Sequence, residues 1–70
     1  MKMKFKVKHY SNERLKRELE NASSRLRGYL DAREHMPLSS ILGSLAISSG
    51  IKYESSLIAT IEEELEARGL

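Results

Sequence analysis

The sequence has no cysteine and no tryptophan, and it has only one proline and one phenylalanine. Without cysteine, the chain forms neither a disulfide nor a thiolate metal site. No apolar run approaches the roughly 20 residues that a membrane-spanning helix needs. The basic N-terminus also lacks the apolar centre of a signal peptide. These absences favour a cytoplasmic protein with no membrane partner.

The small size of the chain predicts self-association. A domain of 8.0 kDa buries only about 60% of the surface that its unfolded chain exposes, so a lone copy is marginally stable. With no disulfide or thiolate metal site, burial against another chain is the remaining source of stability. We expect residues 1–70 to form one domain that works as a homodimer or larger homo-oligomer.

Residues 1–10 alternate between lysine and apolar side chains. Lysines at Lys2, Lys4, Lys6 and Lys8 alternate with Met1, Met3, Phe5 and Val7. A period of two is typical of a strand with one buried face and one wet face. The pattern predicts an N-terminal β-strand paired with another copy, with residues 51–54 as the internal alternative. A disordered basic tail is the other interpretation.

Residues 11–36 have the pattern of a heptad helix that Ser11 or Asn12 caps and that ends before Pro37. Its apolar positions are spaced four, three, four and three residues apart, which favours contact with one partner helix. They form the candidate oligomer or partner interface: Leu15, Leu19, Ala22, Leu26 and Tyr29.

Residues 37–65 carry the densest apolar pattern, interrupted at Gly50. We interpret Gly50 as a left-handed helix cap, so the pattern predicts two core helices over 37–50 and 55–68 with a short link between them. The expected core residues are Ile41, Leu42, Leu45, Ile58, Ile61 and Leu65. The predicted fold is therefore mainly α with one N-terminal strand, in the order β-α-α-α, around a homo-oligomeric helical core.

Charge is distributed unevenly along the chain. Residues 1–36 hold ten Lys/Arg and five Asp/Glu, a net charge of +5, whereas residues 37–70 hold two Lys/Arg and five Glu, a net charge of −3. A basic segment of this kind attracts nucleic acid or an acidic protein. The candidate contact residues are Lys2, Lys4, Lys6, Lys8, Arg14 and Arg17.

Residues able to carry catalysis are sparse. His9 and His35 are 26 residues apart, and neither has a carboxylate at a metal-ligand offset. The serines include neither a nucleophile elbow nor a Ser-x-x-Lys motif. We therefore predict no catalytic, metal or cofactor site, and a protein that is not an enzyme.

Two kinds of binding function remain. The heptad seam and the complementary charged halves favour a small regulatory protein, of the inhibitor, adaptor or antirepressor type, that binds an unidentified protein partner. The alternative is a DNA-binding transcriptional regulator. The basic strand, followed by helices and by Leu42-x-x-Leu45-Ala46-x-x-x-Gly50-Ile51, resembles the ribbon-helix-helix repressors, although some 25 residues of heptad helix intervene. That resemblance implies that the lysines enter the DNA major groove. A helix-turn-helix interpretation rests only on the spacing of Ala46 and Gly50.

Overall fold

The computed structural model describes residues 5–36 and 41–70, which form a hairpin of two helices. Helix α1 is Asn12–His35 and helix α2 is Ile41–Ala67. The molecule measures 45 × 24 × 14 Å. Because one helix with its side chains is about 10–12 Å across, the hairpin is a single layer of helices.

Helix α1 begins and ends close to where its sequence predicts. Ser11 is the N-cap, and its side-chain oxygen accepts a hydrogen bond of 3.1 Å from the backbone N–H of Arg14. Glu13 places a negative charge in the first turn, where the helix dipole stabilises it. At the other end Met36 is extended, as expected of a residue that precedes proline.

Helix α2 is continuous through Gly50, so the prediction of two core helices with a link between them was wrong. Gly50 and residues 51–54 are helical, while residues 37–40 lie outside the described part. A Cβ added to Gly50 would lie 2.5 Å from Cζ of Tyr29. The glycine therefore lets the backbone of α2 approach an aromatic ring of α1, and it does not cap a helix.

The predicted N-terminal strand is also wrong over its described part. Residues 5–11, which we call the strap, are an irregular segment, and residues 5–36 and 41–70 contain no strand. The N–H of Val7 donates to the carbonyl of Phe5 at 3.1 Å, and the N–H of Tyr10 donates to that of Val7 at 3.0 Å. These turn hydrogen bonds replace a sheet ladder, so the β-α-α-α fold is not formed. Residues 1–4 lie outside the description.

The core lies where the strap packs against the two helices. Its buried side chains are Val7, Leu15, Ala22, Leu57 and Ile61, with Phe5, Tyr10, Leu19, Ile58 and Leu65 packed around them. The core prediction is confirmed for Ile61, while Ile58 and Leu65 are half-buried. It was wrong for Leu45, which is 61% exposed. The side chains of Ile41 and Leu42 lie outside the described residues.

Helix α2 ends in a hydrogen-bonded glycine turn. Gly69 has a φ of 75°, the N–H of Leu70 donates to the carbonyl of Leu65 at 2.9 Å, and the N–H of Gly69 donates to that of Glu66 at 3.0 Å. This is a Schellman motif, in which Gly69 closes the helix. In residues 5–36 and 41–70, neither helix has the length and apolar character needed to cross a membrane.

Candidate functional site

One arginine holds the strap against the end of α2. The guanidinium of Arg68 donates to the backbone carbonyls of Lys8 at 2.9 Å and Tyr10 at 2.7 Å, and to Oδ1 of Asn12 at 2.9 Å. Its Nε also donates to the Glu64 carboxylate at 3.0 Å. We call these four contacts the Arg68 clamp. Because the donors of a guanidinium lie in a fixed plane, the clamp fixes the direction of the strap as well as its position.

Aromatic contacts hold both ends of the strap. The guanidinium of Arg14 lies 3.8 Å from the centroid of the Tyr10 ring, a cation–π geometry. At the other end the ring of Phe5 meets that of Tyr53 edge to face, with 5.3 Å between centroids. The described strap therefore runs along α2 as far as Tyr53.

An open groove of about 500 Å³ lies beside Tyr53, on the side towards the hairpin turn. The ring of Tyr29 lies over the backbone of Gly50 at one wall, and Tyr53 is 43% exposed at the other. We call it the tyrosine groove, and it is lined by Tyr29, Ala46, Ser49, Gly50, Lys52 and Tyr53. The small residues of α2 keep the groove open between the two rings.

An ion pair between a half-exposed arginine and a buried glutamate lies in the seam next to this groove. Nε of Arg25 donates to Oε1 of Glu54 at 2.9 Å, and the Glu54 side chain is only 4% exposed against 46% for Arg25. This hydrogen bond raises the pKa of Arg25, so the guanidinium stays charged. Oε2 of Glu54 is buried and has no hydrogen-bond partner among the described residues. The pair joins the two helices, with one carboxylate oxygen left unsatisfied.

The opposite side of the hairpin carries no strap. Phe5 of the strap contacts Tyr53 of α2, and strap residues line an open pocket together with Thr60 and Glu64. Helical spacing puts a second row of α2 residues on the other side of the seam. We call that surface the bare face. It consists of Leu19, Ser23, Leu26 and Leu30 of α1 with Ser48, Ile51, Ser55 and Ile58 of α2. None of these residues is charged, and all five of its leucine and isoleucine side chains are half-buried or exposed.

The structure places the candidate basic residues at one end of the hairpin. Lys6 and Lys8 are exposed on the strap, and Arg14 and Arg17 are exposed on the first turns of α1. Lys2 and Lys4 lie outside the described residues. Exposed carboxylates of α2, Glu62, Glu63 and Glu66, lie at the same end of the hairpin. This end of the hairpin therefore carries both positive and negative charges.

The candidate interface residues of α1 divide between two environments. Leu15 and Ala22 are buried in the chain's own core, so their partner helix is α2 of the same chain. Leu19 and Leu26 are half-buried and belong to the bare face, while Tyr29 lines the tyrosine groove. Leu19 also packs against the core and Tyr29 lies over Gly50, so four of the five residues have contacts within the hairpin.

Sequence reasoning missed the α2 side of the seam. Its residues are spaced four, three, four, three and four apart, the spacing already recognised in α1: Gly43, Ile47, Gly50, Glu54, Leu57 and Ile61. Because the series includes two glycines and a glutamate, it does not form an apolar pattern in the sequence. Nothing in the sequence marks Arg68 as the residue that holds the strap.

Metal chemistry has no visible support in the part of the chain that the structure describes. No group of three or more His, Asp or Glu side chains there is arranged to hold a metal ion.

In comparisons with known proteins, no family model, no curated protein and no solved structure matches this chain significantly. Function must therefore be inferred from the surfaces described above.

Proposed function

We propose that this chain is a small, non-enzymatic regulatory protein that acts as a homo-oligomer by binding another protein. The observation that carries the proposal is the tyrosine groove, where Tyr53 stays 43% exposed beside an open wall of small residues. Tyrosine is enriched at protein interfaces and among the residues that contribute most to binding energy, because it buries a large rigid ring and keeps a polar hydroxyl.

The chemistry of the groove indicates what kind of segment it would bind. Its lining includes Lys52 and no carboxylate, and the half-exposed guanidinium of Arg25 lies near Tyr53. The rings of Tyr29 and Tyr53 suit an apolar side chain, and the two cations suit a neighbouring carboxylate. The proposed partner is a protein that presents an apolar residue next to an acidic one.

Affinity capture with matched charge-reversal variants tests this proposal. Tagged wild type, Lys52→Glu and Arg17→Glu are used on the same source-cell lysate, and the captured proteins are quantified by mass spectrometry. Both substituted residues are exposed, and Arg17 lies at the other end of the hairpin. We expect Lys52→Glu to lose a specific partner at least about tenfold, which corresponds to 1.4 kcal/mol, while Arg17→Glu retains it.

Circular dichroism of each variant checks that the helices persist. A partner lost equally from both variants, or from Arg17→Glu alone, would place the binding surface outside the groove. A wild type that captures nothing above the level of an unrelated tagged protein would contradict the protein-binding function itself.

The exposed cations support a second candidate, binding to nucleic acid. Lys6, Lys8, Arg14 and Arg17 are all available to phosphates. Residues 5–11 form the irregular strap, so the ribbon arrangement does not support this candidate, and nearby glutamates weaken it. Binding to random duplex DNA is compared at about 50 and 200 mM salt, because phosphate neutralisation makes affinity fall steeply with salt. No binding at the lower concentration would exclude this candidate.

A further inference from the structure

We infer that the bare face is the surface through which two copies of this chain associate, face to face, as the two layers of a four-helix bundle. The inference rests on the homo-oligomer of the proposed function and deepens it by naming the surface and its occupant. It is independent of the tyrosine groove, which lies on the strap side of the hairpin.

The apolar stripe on each helix is wider than packing against the other helix of the hairpin requires. Leu19 and Leu26 of α1, and Ile51 and Ile58 of α2, are only half-buried, and Leu30 is 37% exposed. They flank the seam on one side, so each helix presents a stripe that faces both its neighbour and a further layer. Apolar stripes of this width are typical of helices that pack on two sides, as in four-helix bundles.

The surface area of the chain is also larger than a compact monomer requires. The accessible surface is 5682 Å², whereas size scaling gives about 4,500 Å² for a compact protein of 8.0 kDa. The excess of roughly 1,200 Å² exceeds the about 800 Å² that each partner buries in a standard interface. In the part of the chain that the structure describes, the strap lies on one side of the two helices and no segment covers the other side.

The chemistry of the bare face favours a second copy as the occupant. All eight of its residues are uncharged, so two copies meet with neither like charges nor unpaired ions between them. Three of them are serines, Ser23, Ser48 and Ser55, whose small side chains permit close approach of helices. Homodimer interfaces are more apolar than other protein interfaces, and this face has that character.

The charges beside the bare face are complementary between copies. Because Arg25 contacts Glu54 and Tyr29 lies over Gly50, the antiparallel register puts Lys16 level with residue 63, one residue (about 1.5 Å) from Glu62. A two-fold axis parallel to the helices places α1 of one copy over α2 of the other at the same level. Exposed Lys16 then faces exposed Glu62 of the second copy. Such a rim pair adds little affinity but favours this orientation.

Matched charge insertions on and off the face test the inference. Wild type, Leu30→Glu, Ser55→Glu and Leu45→Glu are compared by sedimentation equilibrium, with circular dichroism as the check on helix content. Leu45 is the control because it is exposed and points away from α1. We expect a wild-type dimer whose dissociation constant rises at least about tenfold in each of Leu30→Glu and Ser55→Glu, with helices intact, and is unchanged in Leu45→Glu.

Several outcomes would overturn the inference. They are a monomeric wild type at hundreds of micromolar, a dimer that survives both face variants, and a dimer that Leu45→Glu weakens equally. A monomeric wild type that loses a captured protein on Leu30→Glu would show that a different protein occupies the face. The groove variant Lys52→Glu should leave the dimer unchanged, so failure of the groove proposal and failure of this one are distinguishable.

Discussion

Removing the Arg68 clamp should release the strap and destabilise the whole domain. In Arg68→Ala, the carbonyls of Lys8 and Tyr10, the Asn12 amide oxygen and the Glu64 carboxylate all lose their donor. The strap supplies Val7 to the core. A looser strap therefore weakens the packing of Leu57 and Ile61 as well as the polar contacts.

The expected size of the effect follows from the four hydrogen bonds. A hydrogen bond to a charged group contributes about 1.5–3 kcal/mol when shielded, but Arg68 is 23% exposed and water replaces part of each contact. At about 0.5–1 kcal/mol each, the four contacts amount to about 2–4 kcal/mol. For a domain of this size, that corresponds to a fall in Tm of about 8–32 °C.

The assay combines thermal unfolding with limited trypsin digestion. Lys6 and Lys8 are exposed on the strap, so a released strap should be cut there faster in Arg68→Ala while the helices stay resistant. Arg68→Lys keeps the charge but not the planar fork, and it should recover less than half of the lost stability. Arg17→Ala, exposed and outside the clamp, is the control. A Tm within about 2 °C of wild type for Arg68→Ala would refute the clamp.

Two further predictions concern the seam, and both are measured by urea unfolding. Gly50→Ala should destabilise the domain by about 1–2 kcal/mol because its Cβ meets the Tyr29 ring, whereas Gly28→Ala, which meets nothing, should stabilise it by about 0.5–1 kcal/mol. Equal effects of the two substitutions would contradict the close approach. Arg25→Met should cost about 3–5 kcal/mol because it leaves a buried carboxylate unpaired, while Glu54→Met should be neutral or stabilising because half-exposed Arg25 is rehydrated. A larger loss for Glu54→Met would contradict this asymmetry.

The sequence predicted α1 well because its signals are local. The cap at Ser11, the end before Pro37 and the heptad spacing each depend on residues within a few positions of one another. The same spacing predicted an oligomer or partner interface for Leu15 and Ala22, which the structure buries in the chain's own core. A heptad pattern requires a facing helix, but it does not say which chain supplies it.

The strand and the break in α2 were wrong for a different reason, since tertiary contacts decided both. In the strap Val7 is buried and Lys6 and Lys8 are exposed, as the alternation of apolar residues and lysines predicted. The alternation could not show how the backbone is satisfied. The carbonyl of Lys8, which would accept a hydrogen bond in a sheet, accepts one from Arg68, 60 residues away. Gly50 costs a helix about 1 kcal/mol, and packing against Tyr29 offsets that cost.

The ion pair in the seam also determines how the two helices are aligned along their length. A shift of α2 by one turn, 5.4 Å, would separate Glu54 from Arg25 and would put a side chain where Gly50 now meets the Tyr29 ring. The leucines and isoleucines alone would tolerate such sliding, because one aliphatic residue packs much like another. Glu54 and Gly50 thus select one helix register from several whose energies would be nearly equal if only aliphatic contacts counted.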